Sequence, residues 1–305
     1  MKVLITGADG FVGGYLFEHL NSLEYEVFGT YFLREIKSPN HMYLDITDKE
    51  SALRCISKIK PDIIYHLAGF SSVGKSFEQP KLCYDVNAKG TENLLKCIVN
   101  TSLNPKILVI SSGEAYGPPN IIPIPESHPL NPKSPYGVSR VAQEKICKEY
   151  ISNYDLDIIV TRSFNHTGPK QQDAFAIPNF AKQIAMIEAG SPPVIKTGNL
   201  SAIRDFSDVR DIIKAYVALV GKGKPREVYN VCSGKGFSIK ELLNKLIEIS
   251  GKEIRTEVDE NRLRAVDIPR LIGDNRKIVS QTGWKPNIDI KTTLKDILDY
   301  WRNII

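Results

Sequence analysis

Lys2-Val-Leu-Ile-Thr-Gly7-Ala-Asp-Gly10-Phe-Val-Gly13 follows a single methionine at the start of the chain. An apolar, β-branched run that breaks into glycines spaced Gly-x-x-Gly-x-x-Gly reads as a buried strand turning directly into a helix, the context that gives such glycines a meaning. Gly7 permits the tight turn, Gly10 lets the backbone approach a pyrophosphate, and Gly13 allows helix to pack closely on strand. The helix N-terminus adds partial positive charge at the same point. A bound dinucleotide is the expectation; a glycine-rich turn with no ligand is the alternative.

Further β-branched runs at 26–30, 63–66, 107–111 and 157–162 alternate with amphipathic helical patterns, the signature of βαβ units. Parallel strands need crossover connections, which are nearly always right-handed, so the expected fold is α/β, a Rossmann-type doubly wound parallel sheet with helices on both faces. After about Asn165 the pattern loosens, interrupted by Pro169, Pro178, Pro192, Pro193 and Gly198, and a smaller C-terminal substrate-binding lobe is expected. The dinucleotide-binding unit is placed at 1–165 and the mainly substrate-binding unit at 166–305, with a segment at about 205–232 returning to the first. Strands are expected near 204–206 and 228–231, and helices at 238–250 and 292–302, the former started by Ser238 as N-cap with Glu241 completing a capping box.

With 305 residues, 42% hydrophobic and 25% charged, the chain has the make-up of a globular protein of one large or two unequal domains. Its net charge is +5, yet 40 basic and 35 acidic residues are interspersed, which argues against nucleic acid as a partner. A small anion such as a diphosphate answers to local charge instead. Cys55, Cys83, Cys97, Cys147 and Cys232 lack metal-ligand spacing and sit in apolar surroundings, so no metal is expected and the odd number of thiols points to the cytoplasm. The first strand begins too near Met1 for a signal peptide, and no run of about eighteen apolar residues exists, so no membrane is expected.

Choice between NAD and NADP falls at the end of the second strand, where an acid would bond the ribose 2′-hydroxyl. Thr30-Tyr-Phe-Leu-Arg34 has no acid, and Arg34 can pair with a 2′-phosphate, so NADP is expected with NAD left open. A solvated Arg34 is the alternative. Asp45, in Tyr43-Leu-Asp-Ile-Thr47, ends another strand and either holds the adenine amino group or caps the next helix.

His66-Leu-Ala-Gly69, Asn87-Ala-Lys-Gly-Thr91, Ser111-Ser-Gly-Glu-Ala-Tyr-Gly117 and Ser134-Pro-Tyr-Gly-Val-Ser-Arg140 follow the glycine-rich turn in that order. Together they resemble the extended short-chain dehydrogenase/reductases, the superfamily of nucleotide-sugar epimerases, dehydratases and reductases, from Met1 to about Tyr300. The resemblance implies a catalytic group of Ser112, Tyr136 and, where the family carries lysine, Arg140. It also implies that Phe11, Val12, Ile46, Leu67, Ala68 and Asn87 join Gly7, Gly10, Gly13, Tyr136 and Arg140 around the cofactor, that Ser72 and Ser112 meet the substrate, and that the protein is a homodimer. A tyrosine trades its proton near neutral pH only where positive charge steadies the phenolate, and a cation four residues along a helix lies on the same face. Arg140 can take that place, although its planar fork is bulkier than an ammonium. Three readings stay open: a working variant, a change that cripples turnover, and a nucleotide-sugar binding protein without catalysis. Tyr136 as a packed aromatic and Ser112 as a strand-end cap are the bland alternatives.

Ser163-Phe-Asn-His-Thr-Gly-Pro169, Gly198-Asn-Leu-Ser-Ala-Ile-Arg204-Asp-Phe206, Asp208-Val-Arg-Asp211 and Arg262-Leu-Arg264 are similar to the GDP-mannose branch of that superfamily. The implied substrate is a GDP-sugar. The implied reaction is NAD(P)H reduction of the C4 ketone of a GDP-4-keto-6-deoxyhexose, giving GDP-rhamnose or its C4 epimer, with Tyr136 as proton donor and Ser112 bonded to the carbonyl oxygen. Glu114 keeps GDP-mannose 4,6-dehydration open, since dehydratases of the family carry an acid there to remove the C5 proton. Arg204 and Arg264 are candidates for the diphosphate, with surface salt bridges as the alternative. Asn165 is a candidate for hydrogen-bonding the substrate, with a loop turn as its alternative.

Overall fold

Val3, Leu4 and Ile5 are all fully buried, as strand residues are when helices cover both faces of a sheet. The computed structural model describes residues 1–263 and 266–305. In chain order its strands are β1 (Lys2–Thr6), β2 (Glu26–Tyr31), β3 (His41–Tyr43), β4 (Ile63–His66), β5 (Lys106–Ser112), β6 (Ile158–Ser163), β7 (Asn165–Thr167), β8 (Val194–Thr197), β9 (Ile203–Asp208), β10 (Val228–Val231), β11 (Gly236–Ser238), β12 (Arg255–Val258) and β13 (Arg270–Leu271). The helices are α1 (Phe11–Asn21), α2 (Lys49–Ile59), α3 (Val73–Glu78), α4 (Pro80–Tyr84), α5 (Gly90–Asn100), α6 (Pro135–Tyr154), α7 (Ala176–Glu188), α8 (Val209–Lys222), α9 (Ile239–Ser250), α10 (Arg276–Thr282) and α11 (Ile290–Arg302).

Seven strands form one parallel sheet in the order β10-β6-β5-β4-β1-β2-β3. Because strand side chains alternate, β1 feeds two cores at once. Val3 and Ile5 pack with Leu16 and Leu20 of α1 and Ile212 and Leu219 of α8, whereas Leu4 packs with Ile56 of α2, Leu94 and Leu95 of α5 and Cys147 of α6. This is the doubly wound α/β arrangement the sequence predicts.

A second group of elements gathers around β9, which pairs with β7, β11 and β13. Helices α7, α9 and α11 share a separate core there through Phe180, Ile184, Leu242, Leu246, Leu294 and Ile297. The capping box at Ser238 and Glu241 is present at the start of α9. The helix expected from 292 begins at Ile290, because Asp289 accepts the Lys291 N–H at 2.8 Å and fixes the start. Asp45 is not a strand end: β3 stops at Tyr43, and the cap of α2 is Asp48, whose carboxylate accepts from Glu50 and Ser51.

Candidate active site

The strand order reverses between β1 and β4, and in open α/β sheets ligands bind in the crevice beyond the strand ends at such a point. The glycine-rich turn leaves β1 there. Gly7 has a φ of +74°, and a Cβ on Gly13 would lie 2.1 Å from the Gly7 carbonyl oxygen, so α1 packs against the turn only because Gly13 has no side chain. Thr30 at the end of β2 accepts the Gly7 N–H at 3.0 Å. Asp9 accepts the backbone N–H groups of Phe32 and Leu33 at 3.0 and 3.2 Å, tying the turn to the loop where Arg34 stands exposed.

Ser112 ends β5, and its Oγ accepts the Glu114 N–H at 3.2 Å, leaving its own proton to donate. Glu114 follows in a 3-10 turn spanning Gly113–Tyr116. Tyr136 lies in the first turn of α6, where Ser134 caps the helix by accepting the Gly137 N–H at 3.0 Å and Pro135 takes a first-turn place that needs no donor. The Tyr136 N–H donates to Ser76 Oγ at 3.2 Å, joining α6 to α3.

Arg140 lies one turn further along the same face, with its guanidinium carbon 5.1 Å from the centre of the Tyr136 ring. Its Nη1 donates to the Ile110 carbonyl at 2.9 Å and to Gln143 Oε1 at 3.0 Å, and its Nη2 donates to the Phe70 carbonyl at 3.4 Å. The buried Nε–H has no hydrogen-bond partner among the described residues. Tyr136 and Arg140 are nearly buried, so the cation and the phenol face each other with little water to screen them.

A cleft of about 730 Å³ is lined by Gly7, Gly10, Phe11, Val12, Gly13, Leu67, Ser72, Ser112, Glu114, Tyr136, Arg140, Asn165 and Arg204. The sequence candidates Arg34, Asp45, Ile46, Ala68 and Asn87 stand outside that lining. Asp45 accepts the Thr47 N–H and hydroxyl at 2.9 and 2.7 Å. Ile46 fills the space above Gly90, where a Cβ would come within 2.8 Å of it. Ala68 donates its N–H to Thr6 Oγ1 at 3.1 Å. Asn87 clamps Phe70, accepting its N–H at 2.8 Å and donating to its carbonyl at 3.1 Å. Arg264 lies outside the described residues.

Arg204 reaches the cleft as a buried residue rather than a surface ion pair: Nη1 donates to the Ile203 and Ile268 carbonyls at 3.0 and 2.6 Å, and Nη2 to Asp267 at 2.5 Å. Asn165 sits in β7 rather than in a loop turn. Sequence reasoning passed over His166, Gln171, Asn179 and Arg262, which also line the cleft. Arg262 donates to Asn179 Oδ1 at 2.6 Å. Its signal was its place two residues before Arg264, in a motif already quoted.

Two buried polar assemblies support the site. Glu144, one turn beyond Arg140 on α6, takes Arg162 of β6 by Nε at 3.1 Å and Nη2 at 2.7 Å, and accepts the Ser111 hydroxyl at 2.7 Å. Burial alone disfavours the Arg162 charge, but the Glu144 carboxylate and the Tyr116 hydroxyl outweigh it and hold Arg162 above the ordinary arginine range. Behind β4, His66 meets Thr6 Oγ1 at 2.8 Å and Thr91 Oγ1 at 2.9 Å. Burial, with the Arg140 charge adding to it, pushes the imidazole down to about 3, so His66 is neutral in the fold.

Backbone exposed by glycine at a switch point, a serine at a strand end, and a buried tyrosine with a cation at i+4 line one cleft, in a chain of the extended short-chain dehydrogenase/reductase class. A family model described as GDP-mannose 4,6 dehydratase matches residues 4–297, and the chain belongs to that family. It is 34% identical over 305 residues, covering 99% of this chain and 97% of that protein, to the GDP-6-deoxy-D-mannose reductase of Pseudomonas aeruginosa. Among solved structures, RMD from Pseudomonas aeruginosa complexed with NADPH superposes with a TM-score of 0.90 at 32% identity, covering 100% of this chain and 99% of that one. The Thermus thermophilus UDP-glucose 4-epimerase complexed with NAD matches with a TM-score of 0.89 at 28% identity, each chain covered in full at 100%. The residues here fit such a dinucleotide: Gly13 leaves no room for a Cβ, and the unpartnered Arg140 Nε–H offers a buried donor at the cleft.

Proposed function

We propose that this chain is a nucleotide-sugar reductase that converts the C4 ketone of a GDP-4-keto-6-deoxyhexose to the alcohol, giving GDP-rhamnose or its C4 epimer. The observation that carries the reading is that Ser112, Tyr136 and Arg140 line one cleft with the Gly7–Gly13 turn, the cation stacked on the phenol ring. The dinucleotide, when bound, supplies the hydride. Gly7, Gly10, Phe11, Val12, Gly13 and Leu67 would hold it, with Arg140 Nε free to bond it. NADP is the preferred form, because the segment Thr30–Arg34 offers the exposed Arg34 and carries no acid of its own.

Ser112, its oxygen already occupied by the Glu114 N–H, donates its proton in a hydrogen bond to the C4 oxygen. Tyr136 passes its proton to that oxygen as the ketone becomes an alcohol, and Arg140 steadies the phenolate left behind. Asn165 and Arg262 serve the nucleotide sugar, and Arg204 shapes that wall through Asp267 and Ile268. Residues 1–165, rejoined by about 205–232, are the dinucleotide-binding unit, and 166–305 mainly bind substrate. The working protein is a cytoplasmic homodimer. Among the described residues no helix is long and apolar enough to cross a membrane.

Glu114 at the cleft supports a second reading, GDP-mannose 4,6-dehydration, with its carboxylate taking the C5 proton. One assay separates them. The purified protein is expected to oxidise NADPH, and NADH more slowly, only when the 4-keto-6-deoxy sugar nucleotide is supplied. Formation of a 4-keto-6-deoxy product from GDP-mannose alone would replace the reductase with the dehydratase.

A further inference from the structure

We infer that this site is built around arginine at position 140, and that Gln143 is the positioning residue that holds it there. The inference rests on the reductase reading above. Gln143 is fully buried, one turn along α6 from Arg140. Its Oε1 accepts from Arg140 Nη1 at 3.0 Å while its Nε2 donates to Thr91 Oγ1 at 2.9 Å. A flipped carboxamide would set donor against donor at the guanidinium, so its orientation is fixed by the network.

That orientation is inherited from further back. Thr91 gives its single hydroxyl proton to the Asn87 carbonyl at 2.7 Å, so it accepts from His66 Nε2 at 2.9 Å. The hydrogen-bond pattern therefore assigns His66 the Nε2–H tautomer, with Nδ1 accepting from Thr6 Oγ1 at 2.8 Å, which in turn accepts the Ala68 N–H at 3.1 Å. The bonds linking Ala68, Thr6, His66, Thr91 and Gln143 are thus mutually consistent, each pairing a donor with an acceptor. A neutral His66 keeps the direction of these bonds unchanged through the neutral range.

The guanidinium also has space made for it. A Cβ on Gly69 would lie 3.0 Å from Arg140 Nη2, and the Phe70 carbonyl next to it, clamped by Asn87, is one of the acceptors. Acceptors from β5, from the loop after β4 and from α6 thus converge on the two arms of one planar fork. A lysine ammonium ends one bond short of the Nη atoms, near where Cζ now lies, and cannot meet the acceptors on both arms. The departure from lysine at position 140 is matched by its surroundings, and a lone exchange to lysine unmatches it.

The test is a kinetic cycle on Gln143→Met, Arg140→Lys and the double variant, with NADPH and GDP-4-keto-6-deoxymannose. Each single change is expected to lower kcat about tenfold while KM for the sugar stays within about twofold, and Gln143→Met, which leaves Arg140 Nε in place, is expected to keep Kd for NADPH within about twofold as well. The double variant is expected to be no slower than Arg140→Lys alone, because Gln143 acts through residue 140. Thr91→Val, which removes the hydroxyl that orients Gln143, should reproduce the loss, and Thr91→Ser should restore it. In dinucleotide-free protein carrying 13C-tyrosine, the Tyr136 Cζ resonance, assigned with Tyr136→Phe, should move in Gln143→Met and Arg140→Lys alike. Arg140→Lys turning over as fast as the unaltered protein, or losses that multiply in the double variant, would overturn the proposal. Absence of NADPH oxidation in the unaltered protein would instead strike the reductase reading, and the two failures are thereby distinct.

Discussion

His66 stands 60 residues from Thr6 in the chain and meets it across the sheet, buried and neutral. Its unfolded form returns to the ordinary histidine range near 6.5. Between about 3 and that value the unfolded chain binds more protons than the fold, so stability rises with pH and is lost on acidification through the window. The slope contributed is at most about 1.4 kcal/mol per pH unit. Urea unfolding from pH 4 to 7 is expected to show a shallower dependence in His66→Gln than in the unaltered protein; equal slopes would mean that His66 is not held neutral. At this scale the sequence was most informative where chemistry forces one residue type. Gly7 and Gly13 are demanded by a left-handed turn and a close approach, and Tyr136 with a cation four residues on by helix geometry. Gln143 and Asp9 carry no such signature, because a carboxamide bonded to a distant hydroxyl, or a carboxylate bonded to distant backbone, looks like any polar residue until the fold brings the partners together.

Helix α6 carries Tyr136, Arg140, Gln143 and Glu144, and the Glu144–Arg162 pair fastens it to β6. Both side chains of that pair are 8% exposed, so removing one partner leaves a buried charge uncompensated. Glu144→Gln is expected to cost about 3 kcal/mol or more in denaturant unfolding, whereas exchanging both residues for methionine should cost less. A loss below about 1 kcal/mol on breaking the pair would show that α6 is held by apolar packing alone. Elements were legible in proportion to their length and burial: β4 and β10 fall where their β-branched runs do, and β2, β5 and β6 differ by a residue at their ends. The short strands β7, β11 and β13 were not legible as a sheet, since two or three residues carry no period and their pairing is set by β9.

At the scale of the molecule, the sheet order places the ends of β1, β4 and β5 around one crevice, and its far wall carries Arg204 from β9 and Arg262 from the turn after β12. Alternation of strands and helices made the parallel sheet readable in advance. The far wall was less so, because Arg204 and Arg262 belong to segments whose mutual placement follows from long-range pairing. The account depends on a buried phenol passing its proton to a sugar oxygen beside an arginine. Its most direct test is the single-turnover rate of NADPH oxidation by Tyr136→Phe with GDP-4-keto-6-deoxymannose, with NADPH binding measured in parallel. The expected result is a rate lower by about a hundredfold or more with dinucleotide affinity unchanged; carbonyl reduction at the unaltered rate would contradict it.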